Sequence, residues 1–350
     1  MSKLKIGVIF GGMSTEKEVS VVSGKHILKN LDTEKYEIYP IFIDKDGNWH
    51  EYKGTYDDLK LDEKPKELDP IEAVFTYIKQ LDVIFPVLHG LYGEDGTIQG
   101  LFELLQIPYV GCKVLASSIG MDKVYTKIVL EKAGINQVKS CYIKKYEDTY
   151  IFIDEKFDEE KLGLEELTKK VQSQLNYPIF VKPSNSGSSV GVSKAHNFEE
   201  LQQAIKEAGK FDSKILAEQG IDGKEVECAV LGNEEVIAGE VGEIIPADEF
   251  YSYDAKYNNE QSKTLIPAQI SYEQKEQIQK IAIKAFKAID GKGLSRVDFF
   301  VEHQTGKIYL NEINTMPGFT QISMYPKLME AHGMPYKQIL DNLIKLAQEK

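Results

Sequence analysis

In the N-terminal third of the chain, short apolar runs alternate with stretches whose apolar positions recur at a helical period. Leu4 to Phe10, Ile38 to Ile43 and Val83 to Leu88 read as strands; helices are predicted from about Glu16 to Leu31 and near Ile71 to Gln80. Such alternation argues for a parallel sheet covered by helices. Between them, Lys53 to Pro70 is polar, charged and broken by proline, and reads as a surface excursion. From Met121 to about Ala217 the pattern predicts helices at Lys123 to Lys132, Leu164 to Leu175 and Phe198 to Lys206, with strands near Val138 to Lys144 and Ile179 to Lys182. Asp154 to Glu166 is acidic and reads as a solvated face. Strand-like runs follow at Ile215 to Glu218, Val226 to Val230 and Val236 to Ile244, then a long helix from Tyr272 to Ile289, a hairpin from Leu294 to Ile313 and a last helix after Tyr336. Ala247 to Thr264 has neither period and carries Tyr251, Tyr253, Lys256 and Tyr257, which suits a functional lid or a disordered loop.

Composition narrows the class. The chain has 350 residues, 42% of them hydrophobic, which suits a folded protein of two or three domains rather than disorder. Lys and Arg number 42 against 55 Asp and Glu, a net charge of −13 that repels phosphate backbones and argues against nucleic acid as a partner. It does not exclude a small anion in a locally basic pocket. Cys112, Cys141 and Cys228 lack CxxC spacing, which suits reduced thiols. No apolar stretch approaches a membrane span and the N-terminus has no signal-type apolar region, so the expectation is a soluble, cytoplasmic protein without a membrane partner.

Three loops and one strand face carry candidate chemistry. Gly11-Gly12-Met13-Ser14-Thr15-Glu16 follows a strand and opens a helix, where backbone N–H groups face the sheet end at which α/β ligands bind. Thr15 and Glu18 fit a capping box, which leaves Glu16 uncommitted and able to take a substrate ammonium. The GxGxxG spacing is absent. His89-Gly90-Leu91-Tyr92-Gly93-Glu94-Asp95-Gly96 ends the next strand and would line the same crevice; a lone histidine such as His89 is more often structural than a ligand. Lys182-Pro183-Ser184-Asn185-Ser186-Gly187-Ser188-Ser189-Val190-Gly191 offers small donors and a lysine to an anion, or is a flexible hairpin tip.

The C-terminal hairpin can be treated geometrically. With Gln304-Thr305-Gly306 as a three-residue turn and Gly306 left-handed, Asp298 falls opposite Glu312 and Arg296 opposite Asn314, all on one face. Val297, Phe299, Val301, Tyr309 and Ile313 then face the core, with Asn311 the misfit. Two carboxylates and an amide are hard oxygen donors of the kind Mg²⁺ takes together with nucleotide phosphates. Alternatively, Arg296 neutralises the carboxylates.

In this order, Gly-Gly-x-Ser-x-Glu at 11–16, His-Gly-x-x-Gly-Glu-Asp-Gly at 89–96, Lys-Pro-x-x-x-Gly-Ser-Ser-x-Gly at 182–191, Arg296-x-Asp298 and Asn311-Glu312-x-Asn314-Thr315-x-Pro317-Gly318 resemble the D-alanine–D-alanine ligases of the ATP-grasp superfamily. The resemblance covers essentially the whole chain. It implies an α/β ATP-grasp fold of three domains: an N-terminal parallel α/β sheet domain at 1–121, a central α+β domain at 122–217 and a C-terminal α+β domain at 218–350. It further implies ATP and Mg²⁺ (or Mn²⁺), phosphorylation of one D-alanine carboxylate, and attack by the amine of a second D-alanine to give D-alanyl-D-alanine for peptidoglycan. A homodimer is implied as well.

By the same resemblance, Lys123 and Lys182 contact the phosphates, Glu218 the adenine amino group, Glu225 the ribose, and Gln219 and Ile221 offer backbone to the base. Asp298, Glu312 and Asn314 hold metal, while Arg296 and the Gly318 N–H stabilise the oxyanion. Glu16 takes the first ammonium and joins Ser188 and Tyr257 in a network locking the lid, from which Lys256 reaches the phosphates. Ser323 holds the second carboxylate, and His89 and Met324 border the substrates. Tyr257 and Met324 match dipeptide-forming members, whereas Gln321 and Ile322 replace a pair that is often Ser-His in the family. D-alanyl-D-serine or D-alanyl-D-lactate synthesis, a non-catalytic ATP-binding module and a dinucleotide-dependent oxidoreductase are the competing readings.

Overall fold

Strand β1 (Leu4–Gly11) pairs in parallel with β2 (Tyr36–Ile43) on one side and β5 (Val83–Pro86) on the other. The computed structural model describes residues 3–245 and 263–349. Along β1, Ile6, Val8 and Phe10 enter one hydrophobic cluster while Ile9 enters another on the opposite face. Burial on both faces is why these strands are continuously apolar. Helix α1 (Lys17–Asn30) covers one face through Val21, Ile27 and Leu28.

The expected surface excursion is more structured than its polarity suggests. Strands β3 (Trp49–Tyr52) and β4 (Leu68–Pro70) extend the sheet antiparallel in the order β4-β3-β2-β1-β5, and Tyr52 and Leu59 are buried. This edge also shortens the next helix. The Ile71 N–H donates to the Trp49 carbonyl (2.8 Å), so extended pairing persists and α2 is confined to Val74–Ile78.

Helices α3 (Thr97–Leu105), α4 (Val114–Met121) and α5 (Lys123–Lys132) lead into a second sheet, antiparallel throughout. It comprises β6 (Ser140–Tyr146), β7 (Thr149–Ile153), β8 (Glu159–Leu162), β9 (Ile179–Pro183), β10 (Ser193–Ala195) and β11 (Lys214–Gln219), in the order β10-β9-β11-β6-β7-β8. Helices α6 (Leu164–Gln174) and α7 (Phe198–Phe211) close one face over Ile143, Val181 and Ile215. The acidic run at 154–166 contains β8 and the start of α6, with Glu159, Glu160 and Lys161 exposed. The border expected at 217/218 falls inside β11, and strand pairing sets Glu218 and Gln219 in this central sheet.

The third sheet is also antiparallel: β12 (Gly223–Gly232), β13 (Val236–Ile245), β14 (Lys263–Leu265), β15 (Gly293–Glu302) and β16 (Ile308–Asn314), in the order β14-β13-β12-β15-β16. One face packs on α8 (Tyr272–Ala288). The other joins α9 (Met324–Ala331), α10 (Tyr336–Ala347) and the N-terminal sheet in one cluster containing Val8, Phe85, Leu294, Phe319 and Leu343. That shared core carries the loop after β16 to the carboxyl ends of β1 and β5.

Candidate active site

The hairpin register holds where the chemistry lies and fails near the turn. Arg296 pairs with Asn314 and Asp298 with Glu312, but Phe299 pairs with Leu310 and Val301 with Ile308. The connection therefore spans His303 to Gly306 instead of three residues, and a bulge at Asn311 restores the register. The bulge reverses the alternation, so Ile308 and Leu310 are buried in place of Tyr309 while Glu312 and Asn314 keep the polar face. Asn311 was the misfit because it is the extra residue.

On this face Arg296 donates to Asp298 through Nε (2.8 Å) and Nη2 (2.7 Å), and Asn314 Nδ2 donates to Asp298 (2.9 Å). Burial alone would lower the Arg296 pKa, but Asp298 and then Glu227 outweigh it and raise it well above the ordinary range, so the guanidinium stays charged. Among the described residues no three His, Cys, Asp or Glu side chains form a metal-holding group. The donors present are two directly paired carboxylates and an amide, and this hard-oxygen set fits a divalent cation accompanied by phosphate oxygens.

A second charged cluster lies where the central sheet meets this face. The Glu218 carboxylate is buried between Lys182 Nζ (2.6 Å) and Lys127 Nζ (2.7 Å). Desolvation would raise its pKa, yet the two ammonium groups hold it down to about 2. Lys182 reaches Asn311 Oδ1 at 3.5 Å, and Lys123 lies 3.8 Å from Glu312 and donates to the Ser186 carbonyl (2.7 Å). Between β9 and β10, Ser188 and Ser189 hold positive φ of 47° and 60°, conformations that disfavour side chains and persist here under tertiary contacts. One contact joins two sheets: Ser188 Oγ donates to Glu16 Oε1.

Glu16 sits at the N-cap of α1, buried, and the expected Thr15–Glu18 capping box does not form. Ser14 instead organises the turn, accepting from the Glu16 N–H (3.1 Å) and donating to the His89 carbonyl (2.6 Å). Gly90, with φ +74°, has no room for a side chain, since a Cβ would lie 2.5 Å from Glu16 Oε2. His89 is committed within the protein: Nδ1 faces the Met316 carbonyl and Nε2 faces Ser23 Oγ, each at 3.0 Å. Because the carbonyl can only accept, Nδ1 carries the proton. Burial lowers the His89 pKa and keeps the ring neutral. Ser23 also accepts from the Phe319 N–H (3.1 Å), so His89 and Ser23 set the course of the loop that carries Gly318.

Glu94 ties the same loop down, accepting from the Gly90 N–H (2.6 Å) and the Met316 N–H (3.1 Å). Burial, with Glu16 nearby, pushes its carboxyl up to about 8. Ser323 occupies the N-cap position of α9 without a side-chain cap hydrogen bond; its Oγ accepts instead from the Thr320 N–H in the preceding loop (3.0 Å), and a Cβ at Gly318 would meet that Oγ at 2.7 Å. Met324 is buried.

Glu16, His89, Lys123, Lys182, Ser188, Glu218, Gln219, Ile221, Glu225, Arg296, Glu312, Asn314, Gly318, Ser323 and Met324 all line one cleft of about 1060 Å³. Asp298 is buried beside it. Lys256, Tyr257 and the expected lid from 247 lie largely outside the described residues, which resume at Lys263 in β14. Sequence reasoning missed Lys127 and Glu227. Lys127 is one turn beyond Lys123 on α5, and Glu227 shares a face of β12 with Glu225, two positions away; both spacings were available as signals.

Comparison with known proteins gives an independent view of the whole chain. The family described as D-ala D-ala ligase N-terminus matches residues 5–112, and D-ala D-ala ligase C-terminus matches 133–345. The D-alanine--D-alanine ligase of Clostridium acetobutylicum is 50% identical and that of Clostridium novyi 48%, each over 99% of both chains. Among solved structures, the VanG D-Ala:D-Ser ligase from Enterococcus faecalis superposes with a TM-score of 0.85 at 39% identity, covering 99% of this chain and 100% of that one. The D-alanine-D-alanine ligase from Coxiella burnetii gives 0.81 at 36%, covering 99% and 94%. With both family halves matched in order on an ATP-grasp fold, the chain belongs to the D-alanine–D-alanine ligase family.

Proposed function

We propose that this protein uses ATP to join two D-alanines into D-alanyl-D-alanine, through a D-alanyl phosphate, as a step in making peptidoglycan precursor. The observation that carries this reading is a single cleft where half-buried Arg296, paired with buried Asp298, converges with the Lys123 and Lys182 cations and the Glu16 carboxylate. A carboxylate is a poor electrophile, and phosphorylation turns one of its oxygens into a leaving group.

Lys123 and Lys182 hold the phosphates, Glu218 accepts from the adenine amino group, Glu225 binds the ribose hydroxyls, and Gln219 and Ile221 offer backbone to the base. Asp298, Glu312 and Asn314 hold Mg²⁺ or Mn²⁺, which when bound offsets the repulsion between phosphate oxygens and an incoming carboxylate. Glu16 receives the first substrate's ammonium and is kept in place by Ser188. The neutral second amine adds to the acyl carbon, giving a tetrahedral oxyanion, and gives up a proton; the oxyanion then collapses as the carbon–oxygen bond to phosphate breaks and phosphate leaves. Arg296 and the Gly318 N–H stabilise that oxyanion. Ser323, at the N-terminus of α9, binds the second carboxylate, and Met324 borders it. The resemblance assigns Lys256 to the phosphates and Tyr257 to the Glu16–Ser188 network; both lie outside the described residues.

ADP release with ATP, Mg²⁺ and D-alanine tests this reading; a folded protein that released none would refute it. The likeness to a D-Ala:D-Ser ligase makes D-serine the rival second substrate. Competing D-alanine with D-serine and D-lactate near neutral pH is expected to yield D-alanyl-D-alanine as the main product, and a predominance of either other product would reassign the second site. A cytoplasmic homodimer is part of the proposal, and sedimentation of the purified chain measures its stoichiometry.

The glycine at 90 supplies a further prediction. Gly90→Ala forces a side chain into the space of the Glu16 carboxylate, at a backbone conformation costing about 1–2 kcal/mol. KM for the first D-alanine is expected to rise about tenfold while KM for ATP stays within about twofold. Equal changes in both constants would show a general distortion instead.

A further inference from the structure

We propose that Glu227 is a positioning residue that keeps Arg296 aimed at the reacting centre when Asp298 turns to the divalent cation. The proposal rests on Arg296 acting as an oxyanion donor.

Glu227 on β12 pairs directly with Asp298 on β15, and Asp298 pairs with Glu312 on β16, so three carboxylates stand in a row across adjacent strands. Glu227 and Asp298 are 3% and 2% exposed. Like charges placed directly opposite in a sheet destabilise it, and burial sharpens the repulsion. The Arg296 guanidinium resolves it, with Nε 3.1 Å from Glu227 Oε2 and 2.8 Å from Asp298 Oδ1.

A cation held at Asp298 would disturb this arrangement. Both Asp298 oxygens accept from Arg296, and Oδ2 accepts from Asn314 as well. A divalent cation competes for those lone pairs and repels the guanidinium at short range. Glu227 already touches the guanidinium from the neighbouring strand, so it retains the arginine while Asp298 changes partner. A β12 side chain without charge at this position would leave Arg296 free to follow Asp298 or to swing into solvent.

Glu227→Gln, which keeps the shape and removes the charge, separates this role from others. Its kcat for ADP release is expected to fall about tenfold. KM for ATP, and Mn²⁺ affinity with ATP present measured by electron paramagnetic resonance, are expected to stay within about twofold. The Glu227→Gln, Arg296→Ala double variant should be no slower than Arg296→Ala alone, because both changes remove one function. An unchanged kcat, losses that multiply in the double variant, or Mn²⁺ binding weakened in step with kcat would each overturn the proposal, the last by making Glu227 a metal ligand. If Glu227→Gln does not fold, Glu227→Asp keeps the charge on a shorter arm; reduced kcat with unchanged Mn²⁺ affinity supports the proposal and full kcat overturns it. Normal turnover in Arg296→Ala would sink the underlying assignment of the arginine, whereas a crippled Arg296→Ala beside a full-speed Glu227→Gln removes only the role of Glu227.

Discussion

Arg296→Ala should reduce turnover by on the order of a hundredfold or more, the usual consequence of deleting one oxyanion donor from a water-poor site. The guanidinium is half-buried, fully charged and held by Glu227 at 3.1 Å as well as by Asp298 at 2.7 and 2.8 Å, so on the proposed mechanism it would meet the developing negative charge already oriented even when Asp298 changes partner. Its removal leaves Glu227 and Asp298 facing each other across paired strands. The variant should therefore also lose stability, by about 3–5 kcal/mol if no cation takes its place. Turnover must be referred to folded protein, and Mg²⁺ should recover part of the melting temperature but little of the rate. Near-normal turnover per folded molecule would exclude Arg296 from the chemistry.

Glu218→Gln is expected to be the most damaging change in the nucleotide half of the cleft. In the native protein this carboxylate separates two ammonium groups at 2.6 and 2.7 Å. A neutral amide leaves two cations repelling each other in a largely dry setting, a loss on the order of 3 kcal/mol. The pH dependence has a definite sign. A carboxyl held at about 2 instead of 4.5 contributes stability that is complete above about pH 4.5 and lost as pH falls towards 2. Glu218→Gln should thus flatten that acid limb while lowering stability at neutral pH. Urea melts from pH 2.5 to 7 would test this; an acid limb as steep in the variant as in the parent would mean that other carboxylates carry it. Added ATP should stabilise the variant, since its phosphates give Lys182 a new anionic partner.

The hairpin shows how far local pattern reaches and where it stops. Alternation put Arg296, Asp298, Glu312 and Asn314 on one face, and strand pairing bears this out. The route was partly mistaken: a four-residue connection alone would have turned Glu312 inward, and the bulge at Asn311 cancels that shift. A polar residue in an apolar run was the only trace the bulge left in the sequence. Similarly, Thr15 and Glu18 have capping-box spacing, yet the turn at Glu16 is held by Ser14 bonded to the His89 carbonyl, 75 residues away. Lys53 to Pro70 looked like a solvated loop because its residues are polar, while β4 inside it gains its stability from backbone pairing with β3.

The sequence alone determined the strand and helix periods, the three glycine- and serine-rich loops, and an ordered set of motifs covering the chain. Its net charge of −13 argued against a polyanionic partner without excluding a small anion in a locally basic pocket; the structure then set Lys123, Lys182 and Arg296 along one cleft. The first three are properties of side chains a few positions apart, which a period or a spacing records. Tertiary structure alone decided that Lys127 shares Glu218 with Lys182, that both nitrogens of His89 are engaged by Ser23 and Met316, and that Glu227 stands opposite Asp298. Each of those contacts joins segments remote in the chain. Their electrostatics depend on burial and on ångström-scale distances that exist only once the sheets have packed together.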